Sequence, residues 1–193
     1  MHQPTRSEPV QGFEGRPVKA LPGSSSAGLE VDPAEFRKAV SAFATGVAIV
    51  TCIGDEGRVH GVMASDFTSF SFDPATILVA LRPGKAHRLI SRSGQFGVSV
   101  LSREQERLAW HFDGQPQAAV EPDFRFRRRV PTLGVCLGWF ECELSERVQV
   151  RDHTLFIAGV TACGHMPGSP LILFAGRYHK PDTGRGSAPV DGV

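Results

Sequence analysis

The hydrophobic and polar positions along the chain alternate with the period of a β-strand in several places. In QFGVSVL (95–101) and WFECELSERV (139–148), apolar side chains alternate with small or polar ones. In the second run Phe140, Cys142 and Leu144 share one face, opposite Glu141, Glu143 and Ser145, and such alternation predicts a half-buried strand. Continuously apolar runs also predict strands; they are TILVALR (76–82), HTLFIAGVTAC (153–163) and PLILFAGRYHK (170–180).

Three segments have a helical pattern instead. VDPAEFRKAVSAFATG (31–46) offers Asp32 as N-cap and Pro33 at the first helical position, and Gly46 ends the element. We predict that its apolar face packs in the core; that face consists of Phe36, Val40 and Phe43. The other two predicted helices are short, and Ser102 and Gln105 have capping-box spacing in the second; they are KAHRLISRS (85–93) and SREQERLAWHF (102–112).

The order of these elements predicts a mainly β fold. VAIVTCIGDEGRVHGVMAS (47–65) has two β-rich arms around a Gly-Asp-Glu-Gly turn and is predicted to be a hairpin. About seven strands and two or three helices follow from the whole pattern, and strands do not alternate regularly with long helices. A closed or nearly closed antiparallel barrel with peripheral helices is therefore favoured over a doubly wound sheet.

Composition sets the expected domain boundaries. Residues 1–31 and 182–193 hold many Pro, Gly and Ser residues without a period and are predicted to be flexible tails. Residues 32–181 then form one domain of ordinary size. Within it, residues 113–130 are polar and irregular and predict a long loop, whose run of arginines from Arg125 to Arg129 is interpreted as a solvated face.

Charge and cysteine usage narrow the class of protein. The net charge is +1, so no long-range field favours nucleic acid or a membrane surface. No apolar run approaches the length of about 18 residues that a membrane span needs. The four cysteines form no C-x-x-C pair, and we interpret those in or beside strands as small hydrophobic residues. With no signal peptide recognisable at the start, we expect a soluble cytoplasmic protein.

The sequence lacks the common nucleophile, zinc and phosphate-loop motifs, and its histidines lack the spacing of metal ligands. Hydroxyl groups are concentrated instead in ASDFTSFSFDP (64–74). They could hold a phosphate or the polar edge of a heterocycle, with phenylalanines anchoring the segment, or they could face water from an ordinary strand. The pattern alone leaves both interpretations open.

Two shorter segments add candidate contacts. In RPGKAHR (82–88) a Pro-Gly turn places Lys85 near a helix start, where N–H groups and a cation favour an anion, although an ordinary solvated turn has the same composition. In RDHTLF (151–156), His153 is either a polar contact at a pocket rim or an incidental residue of a turn that Asp152 stabilises. Together with the hydroxyl-rich segment, they suggest one phosphate-bearing ligand held by two loops.

These segments, in this order and spacing, resemble the short-chain flavin reductase family, the reductase partners of two-component flavin-dependent monooxygenases. FATGVAIVT, GVMASDFTSFSFDPATILVAL, FGVSVLSREQERLAWHF, RDHTLFIAGV and PLILFAGRYHK carry the resemblance, which spans about residues 34–180. It implies an antiparallel, Greek-key-like, FMN-binding split β-barrel that forms a homodimer. It also implies reduction of FMN or FAD by NADH or NADPH, and a monooxygenase partner reached by diffusing reduced flavin.

The resemblance also implies a set of site residues. His153 is placed near the nicotinamide, as the nearest thing to a catalytic residue, and no metal is implied. The flavin contacts implied by position are Thr45, Gly46, Val47, Ala64, Ser65, Asp66, Phe67, Thr68, Ser69, Lys85, His87, Arg177 and Tyr178. The chain departs from the family pattern at Asp66, where relatives often carry Asn, Ser or Ala, and at Arg151, where a glycine is usual.

Two other functions remain open at this point. One is a flavoprotein that keeps FMN tightly bound and acts on another small substrate. The other is a flavin-binding module without turnover, because a fold alone does not fix function.

Overall fold

The computed structural model describes residues 31–181. Except for Val31, the two predicted tails lie outside the described residues. Within the described range the α-helices are α1 (Pro33–Ser41), α2 (Lys85–Ser93) and α3 (Glu106–Phe112). The strands are β1 (Thr45–Gly46), β2 (Ala48–Ile53), β3 (Val59–Ala64), β4 (Phe67–Phe72), β5 (Ala75–Leu81), β6 (Gln95–Val100), β7 (Phe124–Phe126), β8 (Pro131–Leu133), β9 (Gly138–Val150), β10 (His153–His165), β11 (Ile172–Phe174) and β12 (Arg177–His179).

A seven-stranded antiparallel sheet dominates the fold, with strand order β3-β2-β6-β9-β10-β5-β4. Its edge strands, β3 and β4, are consecutive in the chain and are joined only by Ser65 and Asp66. Three extended residue steps span about 10 Å at most, so the two edges must approach each other. The sheet therefore curls into a barrel that is split between β3 and β4, and we call this gap the seam.

The buried side chains form two hydrophobic clusters, one inside the barrel and one beneath α3. The first lies inside the barrel around Phe96 and Phe156, both fully buried, and Leu89 and Ile90 of α2 close it. The second cluster includes Leu101, Leu133 and Leu171. Strand β2 is buried on both faces because it contributes alternate residues to the two clusters. This explains why its sequence is apolar except for Thr51 and does not alternate.

The predicted helices are confirmed, with two corrections to α1. Helix α2 and the capped segment leading into α3 form as predicted, and Ser102 and Gln105 make the capping box. Asp32 caps α1, but α1 ends at Ser41 and Gly46 lies in strand β1. The predicted core face of α1 is wrong for the single chain, since none of its residues is buried; the exposed fractions are 61% for Phe36, 54% for Val40 and 76% for Phe43.

The segment 113–130 is less irregular than predicted, because β7 pairs with β8. Its arginines are also more engaged than a solvated loop implies. The Arg127 guanidinium lies over the Trp139 ring at 4.6 Å, and the backbone N–H groups of Arg128 and Arg129 donate to the Glu141 carboxylate at 2.8 and 3.1 Å. Glu141 is only 1% exposed, so the polar face of β9 is covered at that position and not open to solvent.

Candidate functional site: a cleft at the barrel seam

A cleft of about 850 Å³ opens where the barrel is split. One wall is strand β3, from Val59 to Ala64, and the opposite wall is the end of β5 with the first turn of α2. The end of α3 and His153 complete the rim. The volume lies in the range of small-molecule sites, and its position follows from topology, because β3 and β5 are not hydrogen-bonded to each other in the sheet order.

The hydroxyl-rich segment contributes to the cleft only through its first residues. Ala64 is buried at the end of β3, and Ser65 and Asp66 line the cleft where the chain crosses the seam. The Asp66 carbonyl accepts a hydrogen bond from the Ala80 N–H at 3.0 Å, which fixes the crossing against β5. The Asp66 side chain is exposed.

The rest of that segment is an edge strand. Thr68 and Ser69 lie in β4, paired with β5, and do not line the cleft. Phe67 packs against Phe140 with ring centroids 5.5 Å apart, as an anchor should. Phe70 and Phe72 do not anchor the segment in the single chain, because they are 70% and 74% exposed.

Helix α2 delivers Lys85 and His87 to the cleft. The helix begins at Lys85 directly after the Pro83-Gly84 turn, so its unpaired N–H groups and the Lys85 ammonium stand at the same end of the cleft. The His87 Nε2 atom is 2.9 Å from the Thr154 hydroxyl. Its ring also contacts Phe156 edge-on, with a centroid distance of 5.2 Å, which holds it against the barrel wall.

His153 occupies the rim at the start of β10. Its Nδ1 atom lies 3.0 Å from the Asp152 carboxylate, and the Arg82 Nε–H donates to its Nε2 at 3.3 Å. The hydrogen bond with His153, the backbone N–H of Asp152 itself and the nearby Arg82 guanidinium lower the pKa of the Asp152 carboxyl. Arg151 has φ of 53°, so the turn keeps the left-handed shape that a glycine would adopt freely.

The remaining predicted contacts lie outside the cleft. Thr45 and Gly46 form β1, which pairs with β11, and Arg177 and Tyr178 lie in β12 of the same small sheet. Val47 is fully buried beside them. Tyr178 stacks edge-on against Trp110 at 4.7 Å, and burial followed by nearby carboxylates raises its pKa to about 12.

Four titratable residues that line the cleft are not among the predicted site residues; they are His60, Arg82, His111 and Asp113. Arg82 belongs to the predicted segment 82–88, but the sequence pattern does not distinguish it there. The sequence offers His60 and His111 only as scattered histidines without metal-ligand spacing, and it places Asp113 in a loop. Burial and the Lys85 ammonium lower the pKa of His60, so the neutral imidazole is favoured beside that cation. Among the described residues, no group of three or more His, Cys, Asp or Glu side chains could hold a metal ion.

Comparison with known proteins identifies the family. Residues 40–182 match the model of the flavin reductase like domain. The chain belongs to this flavin reductase family. It is 43% identical over 155 residues to an NADH-dependent flavin reductase of Pseudomonas fluorescens, covering 78% of this chain and 91% of that one. It is 39% identical over 157 residues to an NADH-dependent flavin reductase of Rhodococcus, covering 78% and 88%.

The fold is that of solved flavin reductases. The flavin reductase of styrene monooxygenase from Pseudomonas putida superposes with a TM-score of 0.73 at 42% identity, over 80% of this chain and 99% of that chain. The predicted family and the predicted split barrel with peripheral helices are thereby confirmed. In the part of the chain that the structure describes, no helix is long and apolar enough to cross a membrane.

Proposed function

We propose that this flavin reductase transfers a hydride from NADH to FMN or FAD and releases the reduced flavin to a partner monooxygenase. The observation that carries the proposal is the cleft at the seam, which brings Ser65, Lys85, His87 and His153 together in a member of this family. The names of its relatives support NADH as the reductant and a monooxygenase as the partner.

The cleft residues fit a flavin nucleotide. Its β3 wall offers the small Ala64 and the apolar Met63, against which a flat ring can lie. The start of α2, with Lys85, offers N–H groups and a cation suited to a phosphate. Ser65 adds a hydroxyl donor at the point where β3 ends. An apolar stretch of the β3 wall, together with the cation at the start of α2, matches a ligand with an apolar ring and a charged tail.

The bound flavin and nicotinamide supply the hydride chemistry between nicotinamide C4 and flavin N5, so the protein needs no acid or base of its own for that step. The chain's residues bind and orient. Lys85 holds the charged tail at one end, and the Ser65-Asp66 crossing holds the ring edge. His153, fixed between Asp152 and Arg82, positions the second nucleotide at the rim. Holding two rings in contact is itself a large catalytic contribution.

A steady-state assay tests this function. Purified protein is mixed with NADH or NADPH and with added FMN, FAD or riboflavin, and the loss of nicotinamide absorbance is followed. We expect NADH oxidation that saturates with free flavin. No oxidation with any pair would refute the proposal. Activity that depends on copurified flavin and does not change when flavin is added would favour the tightly bound flavoprotein instead.

We further propose that the protein is a homodimer joined through its exposed aromatic residues. Phe70 and Phe72 project from β4, an edge strand of the sheet, and a second exposed apolar group consists of Phe36 on α1 and Phe43 just after the helix. Exposed aromatic groups at an unpaired strand edge are costly in a monomer and are typical of an interface. A second copy of the chain is the occupant that would cover the aromatic groups of both partners at once.

The expected single domain of residues 32–181 remains a proposal, supported by the two hydrophobic clusters, which join elements between Val47 and Tyr178.

We also propose that the enzyme works in the reducing cytoplasm. Cys52, Cys136 and Cys142 are buried free thiols and Cys163 is an exposed one, a pattern suited to a reducing compartment.

A further inference from the structure

A chain of three hydrogen bonds joins the turn before β10 to the His87 ring in the cleft. The Gln149 amide Nε2–H donates to the backbone carbonyl of Arg151 at 2.8 Å. The Thr154 hydroxyl donates to Gln149 Oε1 at 2.8 Å. The Thr154 oxygen in turn lies 2.9 Å from His87 Nε2. Gln149 and Thr154 are direct partners in the β9–β10 ladder, so the register of the sheet places them side by side.

The backbone carbonyl of Arg151 fixes the direction of every hydrogen bond in this chain. A backbone carbonyl can only accept, so the Gln149 amide must point its NH₂ group at Arg151 and its oxygen at Thr154. A threonine hydroxyl has one hydrogen, and Gln149 receives it. Thr154 can then only accept from the histidine, which requires a proton on His87 Nε2. The neutral ring is therefore the Nε2–H tautomer, with its lone pair on Nδ1.

The other ring nitrogen of His87, Nδ1, has no hydrogen-bond partner from the protein within the described residues. While His87 is neutral, Nδ1 can accept a hydrogen bond from a ligand hydroxyl but repels an anion. When Nδ1 gains a proton, it can donate to a phosphate oxygen, and the bond is then charge-assisted. Both states keep the Nε2–H bond to Thr154, so Nδ1 is the one ring position where protonation changes.

We propose that Gln149 and Thr154 are positioning residues that hold His87 as the Nε2–H tautomer, so that a phosphate at the start of α2 is bound at Nδ1 together with one proton. The phosphate part rests on the proposed flavin-binding function. The tautomer part depends only on the protein. The bound flavin phosphate would thus meet the Lys85 ammonium and a His87 imidazolium that forms on binding.

Other charged groups line the same cleft and bear on this proton uptake. Lys85 and Arg82 oppose a further positive charge, and Asp66 and Asp113 favour one. His60, His111 and His153 are the other imidazole rings that line the cleft. The measurement must therefore isolate His87 and the phosphate. Riboflavin has the ring of FMN without its phosphate, and His87→Ala removes only this imidazole.

The first experiment reads the tautomer without any flavin. In the apo protein, ring ¹⁵N chemical shifts at alkaline pH distinguish protonated from unprotonated nitrogen. We expect Nε2–H for His87 in the wild type. In Gln149→Leu the Thr154 hydroxyl loses its acceptor and is free to donate to Nε2, so we expect a change to Nδ1–H. Gln149→Glu keeps an acceptor for Thr154 and should keep Nε2–H. An Nδ1–H tautomer of His87 in the wild type, or an unchanged tautomer in Gln149→Leu, would overturn the proposal that Gln149 and Thr154 set the tautomer.

The second experiment measures proton uptake by calorimetry in buffers of different ionisation enthalpy. We expect the wild type to take up more protons with FMN than with riboflavin, and His87→Ala to lose that difference. Gln149→Leu should bind FMN with the difference much reduced, since its neutral Nδ1–H already donates. Equal uptake for both flavins in the wild type would overturn the phosphate assignment. Binding of neither flavin would refute the proposed function and this assignment, whereas the tautomer result would stand on the spectra.

Discussion

Arg82 and His153 are neighbours at the ends of two paired strands, and the Arg82 Nε–H donates to His153 Nε2 at 3.3 Å. Leu81 of β5 pairs with Thr154 of β10, and because the strands are antiparallel, the next residue on the β5 side, Arg82, lies opposite His153. Because Arg82 always donates, Nε2 of His153 must accept, and its Nδ1–H faces Asp152. The histidine is thereby fixed at the rim from both sides.

Arg82→Gln should weaken nicotinamide binding. The substitution removes the guanidinium that orients His153 and a cation beside the cleft, and loss of one such bond corresponds to about a five- to tenfold higher KM for NADH, with a smaller change in kcat. Steady-state kinetics with varied NADH measures this. Arg92→Gln is the matched control, because Arg92 pairs with Asp55 at 2.8 Å and does not line the cleft. An unchanged KM in Arg82→Gln would contradict the assigned role of this pair.

Lys85→Met should weaken the binding of FMN by about tenfold and leave riboflavin nearly unaffected, because a charge-assisted bond to phosphate is lost while the ring contacts remain. Equilibrium titration of flavin fluorescence measures both affinities. The control is Lys38→Met, since Lys38 lies on α1 and pairs with Glu35. Equal losses for the two flavins would place the phosphate elsewhere.

Arg151→Gly should stabilise the protein by about 1 kcal/mol, since the arginine is held at φ of 53° and only glycine adopts that conformation without steric cost. Chemical unfolding measures the free energy. Arg151→Ala removes the same side chain but keeps the strained backbone, and we expect it to unfold like the wild type. Equal stabilisation by both substitutions would show that the arginine side chain, and not φ, is unfavourable.

Gly97→Ala should destabilise the fold by about 3 kcal/mol. A Cβ at position 97 would meet the Pro131 carbonyl and would lie 2.7 Å from the Thr51 hydroxyl, at the place where β8 crosses the barrel wall. The control is Gly159→Ala in β10, whose added Cβ would approach only the Ser145 hydroxyl at 4.0 Å. Thermal unfolding of the two variants should differ clearly, and similar midpoints would mean that β8 can move away.

Phe70→Glu combined with Phe72→Glu should convert the proposed dimer into a monomer, because two carboxylates cannot be buried across an apolar interface without partners. Sedimentation velocity measures the oligomeric state. Phe126→Glu is the control, since Phe126 is also exposed, at 55%, but lies on β7. A wild-type protein that sediments as a monomer, or a double variant that remains dimeric, would count against this interface.

Local patterns predicted most of the elements correctly. Alternation identified β6 and β9, and the capping box located the start of the α3 segment, because these features depend on residues close in sequence. Patterns failed where burial depends on distant partners. Glu141 lies on the expected polar face of its strand, but the loop at Arg128 and Arg129 folds over it and satisfies its carboxylate. The exposed Phe36 on α1 is the opposite case: its apolar helix face is predicted from spacing, but no element within residues 31–181 covers it.

The candidate site shows the same division. The sequence by itself determined which segments form strands, where α2 begins at Lys85 and, through the ordered motifs, the family. Only the tertiary structure decided that Ser65, Lys85 and His153 share one cleft while Thr68 and Ser69 do not. The reason is the two-residue crossing between β3 and β4, which forces the sheet edges together and opens the cleft at the seam. Local periodicity contains no information about that closure, since it joins strands from opposite edges of the sheet.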